Sequence, residues 1–389
     1  MSYPSFKARR LPVALLLSTV LLGACASKPN DLRNPHEAIA AFADKSYQAP
    51  IHGSVQGWEA QFTVAEQAVD VTWLAPAQGA APVPLVVFLP GLGEGAGAGL
   101  QWRKAWAQAG YAVVSIQAPQ VGRGIYSSSE AQAGTFRGIA QRAYADPALK
   151  ARLNAVAQVL NQLRVRGQGG DAQVAGVDWN TLAIAGYDLG AQSAAALAGD
   201  SMLPGWQPKA VLLLSPYVGP GVAAARVDVP LLSVTGPHDE DPFSWVESPE
   251  RRQAIWRGNP NPGSYQLIAK NAQHPLFSGS LDELPGPDDA EQKRPPRDPD
   301  LGAGAGGRDG TSGPPGADGG ETPKRRPRPD TMGHGQDSQN WFDAHQVANV
   351  QAVSTAFLDA TLRQSAEAKT WLGTEAAKAI GPAASIEAR

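Results

Sequence analysis

Residues 181–199 read TLAIAGYDLGAQSAAALAG. The stretch begins with an apolar run typical of a buried strand, and it continues after Gly190 in small residues that favour a helix. Between the two halves, Gly186 and Gly190 lie on either side of Asp188. Because glycine tolerates strained and closely packed backbone, the pattern predicts a tight strand-to-helix turn that lifts the Asp188 side chain to the top of a sheet.

The chain on both sides of this turn alternates between predicted strands and predicted helices. Two segments of alternating polarity, 58–64 and 69–74, predict a β-hairpin. Continuous apolar runs predict strands buried on both faces at 85–89, 111–116, 181–185, 210–214, 229–235 and 265–269. Helices are predicted at 99–110, at 130–166 with a break near Asp146, and at 347–372. This alternation predicts the α/β class, with a mostly parallel sheet and helices on both faces.

Composition restricts the possible functions. The 389-residue chain has a formal net charge of −3, which argues against nucleic-acid binding as its main role. The sequence has neither a Cys/His cluster with metal-ligand spacing nor a phosphate-loop lysine motif. We therefore expect no metal, no cofactor and no nucleic-acid partner, and instead a small-molecule substrate or ligand.

The N-terminus has the features of an export signal. Three basic residues precede a short apolar run at 11–22, and Leu22-Gly23-Ala24-Cys25 resembles the lipobox of bacterial lipoproteins. This predicts a signal peptide over 1–24 and lipid attachment at Cys25, with ordinary signal-peptidase cleavage as the alternative. The resemblance implies a lipid-anchored protein of the bacterial cell envelope. Ala26 after the cysteine favours the outer membrane, facing the periplasm.

Composition also predicts the domain boundaries. Residues 25–50 are expected to form a polar tether with one short helix, and 51–280 the main α/β domain. Residues 281–335 are rich in glycine, proline and charge, a composition that buries too little apolar surface to offset chain entropy, and they are predicted to be a disordered insertion. Residues 336–375 should return as a C-terminal helix that completes the domain, followed by a flexible tail at 376–389.

Four segments occur in an order typical of one enzyme superfamily. They are a strand with a glycine-rich loop at 85–93, the strand–turn–helix at 181–199, an acidic loop at 235–242 and a histidine loop at 271–274. The chain thereby resembles the α/β-hydrolase superfamily, whose elements come in the order nucleophile, acid, histidine. Within it, the chain is similar to the lidless bacterial dienelactone-hydrolase-like and platelet-activating-factor-acetylhydrolase-like group. The resemblance covers about residues 55–280 and the last helix, and it implies an α/β-hydrolase fold without a cap domain.

The resemblance assigns expected roles to three side chains. Asp188 takes the nucleophile position, where an esterase has serine and a dienelactone hydrolase has cysteine. His274, between an apolar strand and Pro275, is the expected base. Asp239 is the expected acid that orients the histidine, with Asp241 as the alternative.

The expected oxyanion hole consists of two backbone N–H groups, those of Leu92 and Leu189. Leu189 directly follows the elbow residue at a helix N-terminus, and Leu92 follows Pro90-Gly91, where the superfamily often has His-Gly. The run of glycines around Leu92 permits close approach of a ligand, and it fits a plain flexible loop equally well. Glu94 in this loop is placed where it can project over the site.

The aspartate at the elbow leaves three functions open. An Asp nucleophile like that of dehalogenases and epoxide hydrolases would attack carbon, but those enzymes carry a cap after the elbow, and dehalogenases have Trp where this chain has Leu189. Carboxylate attack on an ester would give a high-energy anhydride, so an ester-type hydrolase would need water activated by His274. A catalytically inactive binding protein on the same scaffold is the remaining alternative. The retained Asp239 and His274 favour a hydrolase.

Overall fold

A computed structural model describes residues 35–43, 46–77, 82–199, 205–219, 225–280 and 343–389 of the chain. The predicted signal peptide at 1–24, Cys25 and the predicted insertion at 281–335 lie outside the described residues. Of the helices in these ranges, none has the length and apolar character needed to cross a membrane.

A single nine-stranded sheet, in the order β1-β2-β4-β3-β5-β6-β7-β8-β9, forms the centre of the fold. Its strands are β1 Val55–Val64, β2 Gln67–Pro76, β3 Val83–Leu89, β4 Ala112–Gln117, β5 Val177–Tyr187, β6 Ala210–Leu214, β7 Leu231–Thr235, β8 Tyr265–Ala269 and β9 Ala384–Ala388. The six strands from β4 to β8 in this order pair in parallel, whereas the hairpin β1–β2 and the far edge strand β9 are antiparallel. The predicted α/β class with a mostly parallel sheet is confirmed.

Helices follow most of the parallel strands, as right-handed crossover connections require. They are α1 Pro35–Ala43, α2 Leu100–Gln108, α3 Ser129–Gln132, α4 Phe136–Ala143, α5 Asp146–Gln168, α6 Leu189–Leu197, α7 Ala254–Gly258, α8 His274–Ser278, α9 Ala344–Leu362, α10 Ala366–Thr370 and α11 Ala376–Ala379. The predicted helical stretch at 130–166 is thus three helices. The last of them begins at Asp146-Pro147, because proline is suited to a first helical turn.

The residues of β3 alternate between two hydrophobic cores, one on each face of the sheet. Val86 and Phe88 pack in the core that includes α2 and α9, whereas Leu85 and Val87 pack in the core that includes α5 and α6. All four side chains are fully buried. A continuous apolar run is therefore needed here, because both faces of the strand are covered.

The C-terminal residues differ from the expectation of a flexible tail at 376–389. Residues 376–379 form α11, and 384–388 form β9, which pairs with β8 along its full length. Ala384 is buried and Ile386 packs against the larger core. The sequence of β9, ASIEA, is short and Ile386 is its one residue with a strong strand preference, so its pairing depends on the open edge of β8.

The segment before β1 is also tied to the domain. Ala38 and Ile39 of α1 are buried in the core that includes α9. The Tyr47 hydroxyl donates a hydrogen bond of 2.8 Å to Asp359 of α9. The short helix expected in the tether over 25–50 is therefore present as a packed part of the fold.

Candidate active site

The predicted site residues come from loops at one edge of the sheet. Asp188 follows β5, Asp239 lies four residues beyond β7, His274 begins α8 after β8, and Leu92 follows β3. Parallel strands present all their carboxyl ends at the same edge. The chain passes from β3 to β4 on one side and then to β5 on the other side of β3, so the loops after β3 and β5 border the crevice where such sheets bind ligands.

Asp188 occupies a strained turn between β5 and α6. Its φ is 50° and its ψ is −109°, a conformation that is costly for a residue with a Cβ. The two flanking glycines are required by packing, because a Cβ on Gly190 would lie 1.8 Å from the Leu89 carbonyl oxygen and one on Gly186 would lie 2.2 Å from the Gly190 carbonyl oxygen. The helix thus approaches β3 and β5 so closely that only glycine fits, as the sequence predicted for this turn.

His274 and Asp239 contact each other directly. The distance between His274 Nδ1 and Asp239 Oδ1 is 2.7 Å, and both side chains are buried. Asp239 also accepts hydrogen bonds from the hydroxyls of Ser215, at 2.8 Å, and Thr235, at 2.7 Å. Burial opposes ionisation of Asp239, but Arg252, His274 and Thr235 together hold its pKa below the usual value. A carboxylate held in this way fixes the orientation and tautomer of the imidazole.

Asp241, the alternative acid, has a different role. Its carboxylate accepts hydrogen bonds from the backbone N–H groups of Phe243, Trp245 and Val246, at 2.9, 2.7 and 2.7 Å. It therefore shapes the loop after β7, and Asp239 is the one of the two that contacts His274.

Arg252 joins the two aspartates, and sequence analysis did not find it. Its side chain is fully buried, with Nε 3.3 Å from Asp239 Oδ1 and Nη1 3.9 Å from Asp188 Oδ1. Its N–H groups donate to the backbone carbonyl oxygens of Asp239 and Ser215, at 2.9 and 3.1 Å. No sequence motif predicts a role for this arginine. It reaches the site from a single 3₁₀ turn at 249–253, which has no sequence pattern typical of a catalytic loop.

Asp188 itself is 2% exposed, and its Oδ1 has no hydrogen-bond partner among the described residues. The Tyr144 hydroxyl is likewise buried without a partner in the described part of the chain. Burial raises the pKa of Tyr144, and the neighbouring Asp188 carboxylate raises it further. The site therefore places a buried donor, the Tyr144 hydroxyl, beside a buried acceptor, the Asp188 carboxylate, and the two can pair with each other.

Glu94 fastens the loop that follows β3. One carboxylate oxygen accepts the N–H of Gly91 at 2.8 Å, and the other accepts the hydroxyl of Ser278 in α8, the helix that carries His274. Gln117 at the end of β4 donates to the carbonyl oxygens of Gly91 and Glu94, at 2.9 and 3.0 Å. The loop is therefore held in one conformation by side chains, and it is not a plain flexible loop.

The two residues expected to supply the oxyanion hole lie in one small cluster. Leu92 and Leu189 are both buried, 4% and 1% exposed, and pack in the same hydrophobic cluster as Tyr144 and Phe243. Their proximity brings the start of α6 next to the loop after β3. A helix N-terminus beside a fixed loop is an arrangement that presents backbone N–H groups to an anion.

An aromatic wall covers this edge of the sheet. It comes from the segment between β4 and α5 and from the loops after β6 and β7, and its members are Tyr126, Phe136, Tyr144, Tyr217, Phe243 and Trp245. Tyr144 and Tyr217 stack at 4.1 Å between ring centroids, and Tyr126 stacks on Phe243 at 6.5 Å. Between β6 and β7, residues 215–219 and 225–230 contain no helix, so the covering side chains come mainly from elsewhere.

The chain matches none of the protein-family models and none of the curated proteins with which it was compared. Within the described ranges, no group of three or more His, Cys, Asp and Glu side chains is arranged to hold a metal ion.

Proposed function

We propose that this chain is an α/β-hydrolase-fold enzyme that hydrolyses an ester-type bond in a small molecule. The observation that carries the proposal is the 2.7 Å contact between His274 Nδ1 and Asp239 at the sheet edge where Asp188 occupies its strained turn. A buried acid–histidine pair beside a strained residue is the arrangement that nucleophilic and general-base catalysis need.

In the proposed reaction, water is the nucleophile. With Nδ1 directed at Asp239, the imidazole has Nε2 left to accept a proton, and it removes one from a water molecule as the oxygen attacks the substrate carbonyl. Asp188 accepts the second hydrogen of that water and orients it. The N–H groups of Leu92 and Leu189 stabilise the oxyanion, and the histidine returns its proton to the departing alcohol. Direct attack by Asp188 on the carbonyl is disfavoured because it would form an anhydride.

The proposal includes a location in the bacterial envelope. The lipobox-like Leu22–Cys25 sequence supports removal of residues 1–24 and lipid attachment at Cys25, with the domain facing the periplasm from the outer membrane. Metabolic labelling with a palmitate analogue, compared between the native chain and Cys25→Ala, tests this part. Equal labelling of the two would reject it.

A second candidate function is binding without catalysis. It is favoured by Arg252, whose guanidinium lies within 4 Å of both Asp188 and Asp239. A buried ion network of this kind also occurs where its role is only structural. In that case the site would hold a ligand but would not turn it over.

Hydrolysis of short p-nitrophenyl esters by the purified chain tests the first candidate. We expect His274→Ala and Asp188→Ala to lose activity by at least about a hundredfold, the lower range for loss of a general base. His52→Ala and Asp228→Asn replace exposed residues of the same types and should retain native activity.

The remaining outcomes separate the alternatives. Activity on alkyl halides or epoxides but not on esters, with an ester trapped on Asp188, would establish the aspartate as a nucleophile and reject the water mechanism. No native activity on any of these substrates, together with new esterase activity in Asp188→Ser, would identify a scaffold that now only binds. Native activity that survives in His274→Ala would reject the proposed site.

A further inference from the structure

A cavity of about 620 Å³ lies between α1, residues 47–52, α2 and α9. None of Asp188, Asp239 and His274 lines it, so it is separate from the proposed active site. Its volume is within the range of about 300–1,000 Å³ that is usual for small-molecule sites. The cavity is therefore a second place where this chain could hold a ligand, and its lining indicates the chemistry of that ligand.

Much of the lining is apolar and consists of small side chains. Seven alanines and Ile39 line the cavity, and they come from α1, α2, α9 and the segment after α1. Because alanine contributes only a methyl group, these side chains leave the space between the helices open. A bound molecule would bury an alkyl chain or a ring against this surface, which is favourable in water.

Two buried polar side chains in the lining have no hydrogen-bond partner within the described ranges. Gln101 and Thr355 are 6% and 7% exposed, and both line the cavity. The hydrogen bonds of Gln101 are made by its backbone, whose N–H donates to Gly279 and whose carbonyl oxygen accepts from Gln351. Its side-chain amide and the Thr355 hydroxyl are both donors and acceptors. Because buried polar groups are normally paired, these two side chains indicate that a polar group of a ligand belongs beside them.

The two polar side chains lie near a lysine. Gln101 and Lys104 are three residues apart on α2, so they share a face of that helix. The Trp106 indole N–H donates to the Ser354 hydroxyl of α9 at 2.9 Å, and this contact places the next residue, Thr355, beside the same part of α2. An amide, a hydroxyl and an ammonium group therefore border one part of the cavity.

The charge of the lining favours an anion. Lys104 is exposed and makes no ion pair with any described residue. His36 and His52 also line the cavity, and the described residues contribute no carboxylate to the lining. A lysine ammonium is a compact single charge, which suits one carboxylate group. An organic cation would find no counter-charge in this lining.

We propose that this cavity binds a small organic monocarboxylate, whose apolar body lies against the alanines and whose carboxylate interacts with Lys104, Gln101 and Thr355. The carboxylate supplies acceptors for the amide and hydroxyl groups and neutralises the lysine. The apolar body replaces water on the methyl surface. The inference does not depend on the proposed hydrolase function, because it concerns a cavity that the proposed catalytic residues do not line.

Calorimetric titration of the purified chain with octanoate tests the proposal. The comparison ligands are 1-octanol, which has the same alkyl chain without the charge, and octylammonium, which has the opposite charge. We expect 1-octanol to bind roughly two- to fivefold more weakly than octanoate, the change typical of losing an exposed charge pair. Octylammonium should bind more weakly still. Added salt should weaken the binding of octanoate but not that of 1-octanol.

Variants of α2 test the location. Lys104→Gln should lower the affinity for octanoate to that for 1-octanol, and Lys104→Arg should largely preserve it, since the charge is retained. Ala105→Leu adds bulk to the lining and should weaken the binding of both molecules. Lys209→Gln removes an exposed lysine that does not line the cavity, and it should bind octanoate like the native chain. His274→Ala should also bind like the native chain, because the site is not the proposed active site.

Thermal unfolding verifies that each variant is folded. No binding of octanoate by the native chain, equal or tighter binding of 1-octanol or octylammonium, or undiminished binding by folded Lys104→Gln would each overturn the inference. Loss of octanoate binding in His274→Ala would place the ligand in the proposed active site and would overturn it as well. Ester hydrolysis is measured separately, so a chain that binds octanoate in this cavity but hydrolyses no ester rejects only the enzyme proposal.

Discussion

Asp188 combines three unfavourable features in one residue. Its backbone is in a strained region, its side chain is almost completely buried, and one carboxylate oxygen has no hydrogen-bond partner among the described residues. Each of these features lowers the stability of the folded protein. In folded proteins, strained residues of this kind cluster at binding and catalytic sites, which makes Asp188 the first residue to test.

Replacing Asp188 by glycine is therefore expected to stabilise the fold. Asp188→Gly relieves the positive φ and removes the unsatisfied oxygen, and we expect the free energy of unfolding to rise by about 1–3 kcal/mol. Ala65→Gly is the matched control. Ala65 has a φ of 48° in the exposed turn between β1 and β2, so its replacement by glycine relieves backbone strain alone. Urea unfolding measures both variants. A less stable Asp188→Gly would mean that the attraction between Asp188 and Arg252 outweighs the strain.

Glu94 should make the stability depend on pH. Burial raises its pKa from 4.5 to about 7 in the folded protein, so the folded state holds this proton more tightly than the unfolded state. Its contribution to stability is complete below pH 4.5 and is lost as the pH rises through about 7. Because Glu94 is partly exposed, we expect an effect on the order of 1–2 kcal/mol.

The variant Glu94→Gln isolates this effect. The difference in unfolding free energy between the variant and the native chain should shift in favour of the variant between pH 5 and pH 8. Urea unfolding at the two pH values measures it, and Glu59→Gln serves as a control outside the site. A difference that does not change with pH would show that Glu94 has an ordinary pKa.

At the scale of elements, β9 closes the edge of the sheet beyond β8. It pairs with β8 from Ala384 to Ala388, and the Arg389 N–H donates to the Ser264 carbonyl oxygen at 3.0 Å. The strand covers hydrogen-bonding groups of β8 that would otherwise be open to another chain. Because β8 leads directly to His274, this edge also helps to support the site.

Removal of residues 384–389 should expose that edge. We expect the melting temperature to fall by several degrees and the protein to aggregate on heating, because an open strand edge pairs readily with other chains. Differential scanning fluorimetry and light scattering measure the two effects. An unchanged melting temperature without aggregation would show that β9 contributes little to the sheet.

At the scale of the whole molecule, α9 completes one face of the sheet although it comes late in the chain. Described residues on both sides of the range 281–342 are connected to the same helix, α2. Gln101 donates from its backbone N–H to the Gly279 carbonyl oxygen at 3.0 Å, and its own carbonyl oxygen accepts from the Gln351 side chain of α9 at 3.3 Å. Gly279 and Gln351, one before and one after this range, therefore approach each other at α2.

Deletion of residues 283–332 should consequently leave the domain folded. Twelve residues would remain between Ser280 and Asp343, and an extended chain of that length spans about 40 Å. Their composition buries little apolar surface, so we expect the melting temperature to stay within about 2 °C of the native value. Loss of the cooperative unfolding transition in the deletion variant would show that the segment is part of the fold.

Local sequence predicted most of the framework of this protein. The strands β3, β6 and β8 coincide with apolar runs, and the close-packed turn at Asp188 follows from its two glycines, because buried strands and glycine turns have strong local signals. Sequence also singled out Asp239 and His274, which the fold brings to 2.7 Å. It predicted a flexible tail where β9 forms, because the pairing of a short strand with little strand preference of its own depends on a partner distant in the chain.

The sequence by itself determined which residue types are available for chemistry and the order in which they occur. Only the tertiary structure decided their environment. It selected Asp239 over Asp241 as the partner of His274, brought Arg252 between two buried carboxylates, and left Asp188 Oδ1 without a donor among the described residues. Burial and charge pairing depend on contacts between residues far apart in the chain, and the interaction energy of charged groups depends on their distance and surroundings in space and not on their separation in sequence.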